Sequence, residues 1–298
     1  MKISVIIPHL NQSEDLGRCL ESLIGGSLRP DEMIVVDNGS RSLPEAVCAA
    51  VPSVRLLSEA EPGPGPARNT GIAAATGDVL AFIDADCIAD PGWLAAIARE
   101  MVDPAAEILG GDVRIALADP PAMTALEAYE SIYAYRMDRY IEREGFTGTG
   151  NLAMRRAVME AVGPFRGLAV AEDRDWGQRA TRLGRRLRYV PDMRVYHPAR
   201  GSFDEIFRKW DRQTAHDYVQ ARGVRGGRLR FLAKALAMPV SPLLELPQVS
   251  TTDRIGGAKT RWRAFTALVR VRLHRAKRMA WLLAGGDPHS LSGAWNRS

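Results

Sequence analysis

Two aspartates one position apart, Asp84 and Asp86, are the residues of this chain whose type and spacing point most directly to chemistry. They follow the apolar run 79–83, which predicts a buried strand of a parallel sheet. The pair would then lie at the carboxyl end of a strand, where open α/β sheets bind their ligands. Adjacent carboxylates at a buried edge repel each other and lose hydration, so they need a cation or a shared proton. A hard divalent metal with bound phosphates fits this need, whereas the plainer alternative is a polar loop.

Other polar residues follow neighbouring apolar runs. Pro8 and Asn11 come after the first run, and Asp37 comes after the second. Arg68 lies in the first turn of a predicted helix, behind the Gly/Pro segment 62–66, where it can contact a base, a carboxylate or a phosphate. Because parallel strands end at one edge of their sheet, these residues should lie close to Asp84 and Asp86.

The elements that must position these residues alternate between strands and helices over the first hundred residues, which predicts an α/β fold with a mostly parallel central sheet flanked by helices. Farther along, a bulged strand, a tyrosine-rich helix, a second helix and two short strands are predicted at 108–115, 122–144, 172–183, 187–190 and 193–196. From residue 202 the chain is predicted to be helical and basic, so we divide it into domains at 1–201 and 202–298.

Four motifs follow one another over about the first 100 residues, namely Val5–Asn11, Val35–Ser40, Ala67–Gly71 and Gly77–Asp86, and three more follow at Gly148–Arg156, Glu172-Asp173 and Val195–His197. In these motifs, and in the order and spacing of the first four, the chain resembles the family 2 glycosyltransferases. The resemblance implies a GT-A fold, a nucleotide-diphospho-sugar donor linked to UDP or GDP, and Mn²⁺ or Mg²⁺. By position, Pro8, Asn11, Asp37 and Arg68 would bind the nucleotide, Asp84 would contact the ribose side, and Asp86 would be a metal ligand.

The resemblance also implies a base and a further metal ligand. An inverting transfer needs a group that takes the proton of the acceptor hydroxyl, and Asp173 is the candidate, with Glu172 and Asn151 on the acceptor side. The structural alternative is an acidic first helical turn that favours the helix dipole. His197 would be a second metal ligand, and the alternative is a histidine that simply packs near a proline turn.

Charge divides the chain unevenly. From Arg200 to the last residue there are 19 Lys and Arg against 7 Asp and Glu, whereas the remainder is acidic. A basic amphipathic helix over 254–281 would suit an anionic membrane surface, and the alternative is a terminal helix that packs on its neighbours. Nucleic-acid binding is not expected, because aromatic interleaving and the known motifs are missing.

Three widely spaced cysteines and an N-terminal strand in place of a signal peptide predict free thiols and a cytoplasmic protein, or one peripheral on the inner face of the cell membrane. The Gln-x-x-Arg-Trp signature of processive synthases is missing, since Gln178 is followed by Thr181 at the third position. We therefore expect a hexosyltransferase-like enzyme that transfers one sugar to a glycan or lipid-linked acceptor in cell-surface polysaccharide or glycoconjugate synthesis. The alternatives are a nucleotide-sugar-forming nucleotidyltransferase and a non-catalytic, membrane-associated nucleotide-sugar binder.

Overall fold

The computed structural model of the chain describes residues 1–51, 53–117, 119, 122–168 and 170–291. It divides into two compact units. Unit 1 comprises Met1–Ala116 and Tyr135–Pro198, and unit 2 comprises Leu117–Ala134 and Ala199–Ser298. Unit 1 thus ends close to the predicted boundary at residue 201, but the segment Leu117–Ala134 groups with the C-terminal helices instead of the sheet.

Unit 1 is built on one eight-stranded sheet in the order β3-β2-β1-β4-β7-β6-β8-β5. The strands are β1 (Ile3–His9), β2 (Glu32–Asp37), β3 (Val54–Ser58), β4 (Val79–Ile83), β5 (Ile88–Ala89), β6 (Ile108–Ala116), β7 (Asn151–Arg155) and β8 (Leu187–Pro198). β1 pairs in parallel with β2 and β4, β2 pairs in parallel with β3, and β6 pairs in parallel with β8. β7 is antiparallel to β4 and β6, and β5 is antiparallel to β8. The predicted mostly parallel α/β sheet is therefore confirmed.

Helices cover both faces of this sheet. They are α1 (Ser13–Ile24), α2 (Glu45–Ala49), α3 (Pro64–Ala74), α4 (Trp93–Glu100), α6 (Met137–Glu144), α7 (Arg156–Val162) and α8 (Glu172–Arg182). Along β1, Val5 and Ile7 pack on the face that carries α1 and α4, while Ile6 packs on the face that carries α3, α7 and α8. Strands buried on both faces are apolar at every position, which explains why the sequence pattern located them.

The tyrosine-rich helix predicted at 122–144 is in fact two helices. α5 (Ala125–Tyr133) belongs to unit 2 and α6 belongs to unit 1. The helical conformation is interrupted between them at Tyr135, whose φ is +50°. The two short strands predicted at 187–190 and 193–196 are one strand, β8. The predicted irregularity at Gly110-Gly111 corresponds to a register shift between Gly111 and Asp112 in the pairing of β6 with β8.

Unit 2 is helical, as predicted for the C-terminal region. Besides α5 it contains α9 (Phe203–Arg222), α10 (Gly227–Ala237), α11 (Ser241–Leu244), α12 (Leu246–Thr251), α13 (Ala258–Leu283) and a short 3₁₀ helix (Pro288–Leu291). α13 is its central element and contacts α5, α9, α10, α11 and α12. In the described part of the chain, no helix combines the length and the apolar character that crossing a bilayer requires.

α13 packs within unit 2. One face is buried through Ala264, Leu268 and Val271. Two of its basic residues, His274 and Arg278, both bond to Asp211 Oδ1 at 2.7 and 3.2 Å. These contacts agree with the alternative in which the helix packs on its neighbours, so α13 is primarily a structural element of unit 2.

Candidate active site

The loops after β1 and β2 are locked together at the carboxyl edge of the sheet. His9 lies opposite Asp37 in the parallel register, and its Nδ1 donates to Asp37 Oδ1 at 2.8 Å. His9 Nε2 accepts the backbone N–H of Gln12, which assigns the proton to Nδ1. Burial would raise the pKa of Asp37, but hydrogen bonds from Ser40 and His9 outweigh it and hold that pKa below its ordinary value. Asp37 is therefore ionised and buried, and it holds the loops after β1 and β2 together.

Asp37 has little capacity left for a substrate. Its Oδ2 accepts the backbone N–H groups of Gly39 and Ser40 at 3.1 and 3.0 Å, and the residue is buried. Asn11, by contrast, is exposed and has a φ of +56°, a conformation that asparagine tolerates better than most residues. Its Oδ1 accepts the N–H of Arg41 at 2.9 Å. The rim here consists of exposed Asn11 and half-buried Pro8, with Asp37 shaping them from beneath.

Arg68 connects two candidate site residues that are 88 positions apart in the sequence. Its Nη2 donates to Asp84 Oδ1 at 2.7 Å and its Nη1 donates to Glu172 Oε1 at 2.9 Å. Burial alone would lower the pKa of Arg68, but the two carboxylates hold it above its ordinary value, so the guanidinium is a fixed cation. Its Nε–H is buried and has no hydrogen-bond partner within the described ranges, which leaves one donor for a ligand.

Asp86 and His197, the two candidate metal ligands, lie next to each other. Asp86 Oδ2 lies 3.4 Å from His197 Nε2, although the two residues come from the loop after β4 and from β8. His197 Nδ1 donates to the carbonyl oxygen of Pro198 at 2.7 Å, so its Nε2 lone pair is directed to the side of Asp86. The Tyr135 hydroxyl lies 3.1 Å from the same Nε2, and its ring packs against the imidazole with 4.6 Å between centroids.

The chemistry of this pair fits a divalent cation. Burial is the main cause of a raised pKa at Asp86, and the neighbouring carboxylates of Asp84 and Asp15 raise it further, while His197 opposes them. A carboxylate and a neighbouring imidazole are suitable ligands for Mn²⁺. Among the residues that the structure describes, no group of three or more His, Cys, Asp and Glu side chains that could hold a metal ion is found.

Glu172 and Asp173 begin α8 and point in different directions, as their adjacency in the chain requires. Glu172 is held by Arg68, whereas Asp173 makes no ion pair in the described part of the chain. Burial, and then the neighbouring Glu172 carboxylate, raise the pKa of Asp173 above its ordinary value. A raised pKa makes a carboxylate a stronger base, so the environment of Asp173 suits proton abstraction.

Asn151 is not on the acceptor side of the site. Its side chain is fully buried, its Oδ1 accepts from Trp93 Nε1 at 2.9 Å, and its Nδ2 donates to the carbonyl oxygens of Asp112 and Met193 at 2.8 and 2.9 Å. An amide with all of these groups engaged has nothing left for a sugar hydroxyl. The predicted substrate contact is replaced by a structural one, in which Asn151 joins β7, β6 and β8 beneath the site.

Two residues of the site were not identified from the sequence. Tyr135 lay within the tyrosine-rich helix predicted at 122–144 and was given no role in the site. Gly150 was noted only as part of the motif Gly148–Arg156, yet a Cβ at this position would lie 2.4 Å from Asp84 Oδ2. The backbone of residue 150 therefore fits directly against the carboxylate that Arg68 holds in place.

We expect Gly150→Ala to displace Asp84 while leaving the fold intact. Because Arg68 holds the other oxygen of Asp84, either the Asp84 carboxylate must give up its bond to Arg68 or the backbone before β7 must move. A misplacement of about 1 Å can lower the rate roughly 10²-fold. The check is kcat/KM for the sugar donor together with the melting temperature. Gly17→Ala is the matched control, since a Cβ there would make an ordinary 3.7 Å contact with Val47. Equal kcat/KM for both variants would contradict the role assigned to Gly150.

Comparison with known proteins identifies the family. The family model described as "Glycosyl transferase family 2" matches residues 4–163. A glycosyltransferase of Haloferax volcanii, AglE, is 34% identical over 215 residues, which is 70% of this chain and 70% of that protein. The pre-mycofactocin glycosyltransferase of Mycobacterium tuberculosis is 30% identical over 225 residues, or 70% of this chain and 45% of that protein.

Two solved structures show the same fold. A mannosyltransferase from Pyrobaculum calidifontis in complex with GDP-Man and Mn²⁺ has a TM-score of 0.57 and 18% identity, with 94% of this chain and 87% of that chain covered. Glucosyl-3-phosphoglycerate synthase from Mycobacterium tuberculosis, in complex with Mn²⁺, UDP and glucosyl-3-phosphoglycerate, has a TM-score of 0.51 and 22% identity, with 69% and 74% covered. The chain is a GT-A glycosyltransferase and belongs to glycosyltransferase family 2.

Proposed function

We propose that this enzyme catalyses metal-dependent, inverting transfer of a single sugar from a UDP- or GDP-linked donor to a hydroxyl of a glycan or lipid-linked acceptor. The observation that carries the proposal is the Arg68 bridge. It joins Asp84, two residues from the candidate metal ligand Asp86, to Glu172, the neighbour of the candidate base Asp173. In this proposal, donor and acceptor chemistry would take place at the same edge of the sheet.

The donor would lie along the carboxyl edge of the sheet. Pro8 and Asn11 would contact the nucleotide, Asp84 the ribose side, and the Nε–H of Arg68 an oxygen of the donor. Asp86 and His197 would hold Mn²⁺ or Mg²⁺, with the remaining coordination positions left to the diphosphate and water. A metal held there would supply positive charge to neutralise the charge that develops on the departing nucleoside diphosphate. The mannosyltransferase with bound GDP-Man and Mn²⁺ and the synthase with bound Mn²⁺ and UDP support this choice of donor and ion.

On the acceptor side, Asp173 would accept the proton of the acceptor hydroxyl as that oxygen attacks the anomeric carbon. The bond from this carbon to the diphosphate oxygen breaks on the opposite side, so the configuration inverts. Glu172, fixed by Arg68, keeps a second negative charge close to Asp173 and so maintains its basicity. We place the reaction in cell-surface polysaccharide or glycoconjugate synthesis, in the cytoplasm or at the inner face of the cell membrane.

The test is a screen of UDP- and GDP-sugars against the whole chain, with Mn²⁺, with Mg²⁺ and with a chelator. We expect one donor to raise the melting temperature and to release nucleoside diphosphate only when a divalent ion is present, since ligands that bind the native state stabilise it. A donor that binds and turns over equally well with the chelator would contradict the metal requirement. Formation of a nucleotide sugar from a sugar phosphate and a nucleoside triphosphate would instead support the nucleotidyltransferase alternative.

A further inference from the structure

A row of exposed aliphatic side chains runs along α10 and α11 to the start of α12 in unit 2. We call it the aliphatic strip, and it comprises Leu229, Leu232, Leu236, Val240, Leu243, Leu244 and Leu246. Leu229, Leu236 and Leu244 are 71%, 72% and 83% exposed. Along α10, Leu229, Leu232 and Leu236 recur three or four residues apart, so they share one side of that helix. The other four positions follow in the next turn and the two short helices.

The strip is not the packing face of these helices. The core of unit 2 receives the opposite side of α10, where Phe231, Ala235 and Met238 pack with Tyr218 of α9 and with side chains of α13. α10 is therefore apolar on both sides, and only one side is covered. Aliphatic residues that line up on an exposed face in this way mark an interaction site more often than chance exposure does.

Basic residues accompany the strip and acidic ones are missing. The segment 218–244 contains no Asp or Glu, and Arg225, Arg228 and Arg230 are exposed at the start of the strip. Within the described residues these three arginines have no ion-pair partner. The acidic residues at either end are neutralised inside unit 2, since Asp217 pairs with Lys234 at 2.8 Å and Glu245 pairs with Arg272 at 3.3 Å. The surface around the strip is thus positive and uncompensated.

We propose that the aliphatic strip and these three arginines dock the enzyme on an anionic lipid bilayer, with α10 and α11 lying in the plane of the interface. Exposed Leu and Val would enter the acyl boundary, and the arginines would meet lipid phosphates. A second copy of this chain is a poorer occupant, because it would bring a second set of unpaired arginines to the same apolar face. The inference concerns unit 2 alone and does not depend on the sugar chemistry proposed above.

The experiment is co-sedimentation of the whole chain with vesicles of phosphatidylcholine and phosphatidylglycerol, and with vesicles of phosphatidylcholine alone. We expect strong binding to the anionic vesicles and weak binding to the neutral ones. The double variant Leu236→Asp, Leu243→Asp should lower the partition coefficient at least about tenfold. Replacing Arg225, Arg228 and Arg230 by Gln should have an effect of about the same size on anionic vesicles and little effect on neutral ones.

Matched controls separate docking from a general effect of the substitutions. The first control, Val102→Asp with Leu183→Asp, replaces two exposed aliphatic residues of unit 1. The second control removes three exposed charges of unit 1 by replacing Arg29, Arg143 and Arg182 with Gln. Both controls should bind like the wild type, and all variants should keep the wild-type melting temperature. Equal losses in the strip variants and the controls would overturn the proposal. So would a concentration-dependent dimer in lipid-free solution that Leu236→Asp abolishes, because the strip would then be a contact between two copies.

Discussion

Asp173→Asn should abolish most of the sugar transfer and leave donor binding unchanged. Asparagine keeps the shape of the side chain but cannot accept the proton of the acceptor hydroxyl, and the loss of a general base costs about 10²–10⁴-fold in rate. Asp84, Asp86 and His197 are untouched, so metal-dependent thermal stabilisation by the donor should persist. The decisive measurement is kcat for transfer beside the donor-induced shift in melting temperature.

Asp175→Asn is the matched control for this prediction, because Asp175 lies in the same helical turn. Its carboxylate pairs with Arg166 at 3.1 Å and Arg179 at 2.9 Å and is assigned no role in the reaction. If the acids of α8 serve only the helix and its ion pairs, both variants should lower the melting temperature and neither should affect kcat selectively. We expect the opposite for Asp173→Asn, namely a selective loss of kcat.

The pH dependence gives an independent readout of Asp173. The base must be deprotonated to act, and burial together with Glu172 raises its pKa. Activity should therefore fall as the pH decreases through this raised pKa, so the acid limb of kcat lies at a higher pH than an ordinary aspartate would give. The residual activity of Asp173→Asn should lack that limb. An acid limb that survives unchanged in this variant would assign it to another group.

The sequence predicted the strand ends well because their determinants are local. Buried parallel strands are continuous apolar runs, and the topology of a parallel sheet then brings Asn11, Asp37, Asp84 and Asp86 to one edge. The proximity of Asp86 and His197 could be predicted only through the family resemblance. In the sheet, β8 lies beyond the antiparallel strand β7, and no periodicity in the sequence indicates this placement.

Three features could not be predicted, each for a physical reason. The break at Tyr135 interrupts a segment whose apolar periodicity continues on both sides, and tertiary packing overrides that local signal. The burial of Asn151 depends on Trp93 and on two backbone carbonyls that are distant in the sequence. In α13 the charge pattern resembled a solvent-exposed basic face, but Asp211 of α9 supplies a buried hydrogen-bond partner for His274 and Arg278.

Arg68 couples the proposed donor side of the site to the proposed acceptor side, because it bonds to both Asp84 and Glu172. A bidentate, permanently charged guanidinium can fix two carboxylates at once, which a lysine cannot do with the same rigidity. Asp84 then stays close to Gly150, and Glu172 stays bound to Arg68. Because Arg68 is engaged by these two carboxylates, Asp173, the proposed base, has no ion-pair partner among the described residues, which preserves its basicity.

Asp86→Asn separates the metal role from a structural role most clearly. We expect transfer to fall about a thousandfold, because the loss of a metal ligand removes several kcal/mol of charge stabilisation in the transition state. Without ligands, the variant should be no less stable than the wild type, since a buried carboxylate near Asp84 and Asp15 is replaced by a neutral group. A stabilising ligand present at a hundred times its Kd contributes about 2.7 kcal/mol to the free energy of unfolding, and this increment with Mn²⁺ and donor should disappear.

Asp90→Asn is the matched control for Asp86→Asn and should give the opposite result. Asp90 lies four residues farther along, accepts hydrogen bonds from the Tyr196 hydroxyl at 3.2 Å and from the Gly92 N–H at 3.0 Å, and has no assigned role in metal binding. Its replacement should lower the melting temperature of the free protein and preserve the increment with Mn²⁺ and donor. The same type of substitution should thus give opposite results in the two variants. Asp90 would stabilise the free protein, whereas Asp86 would bind a ligand at a cost in the stability of the free protein. An Asp86→Asn protein that retains the Mn²⁺-dependent increment would remove Asp86 from the metal site.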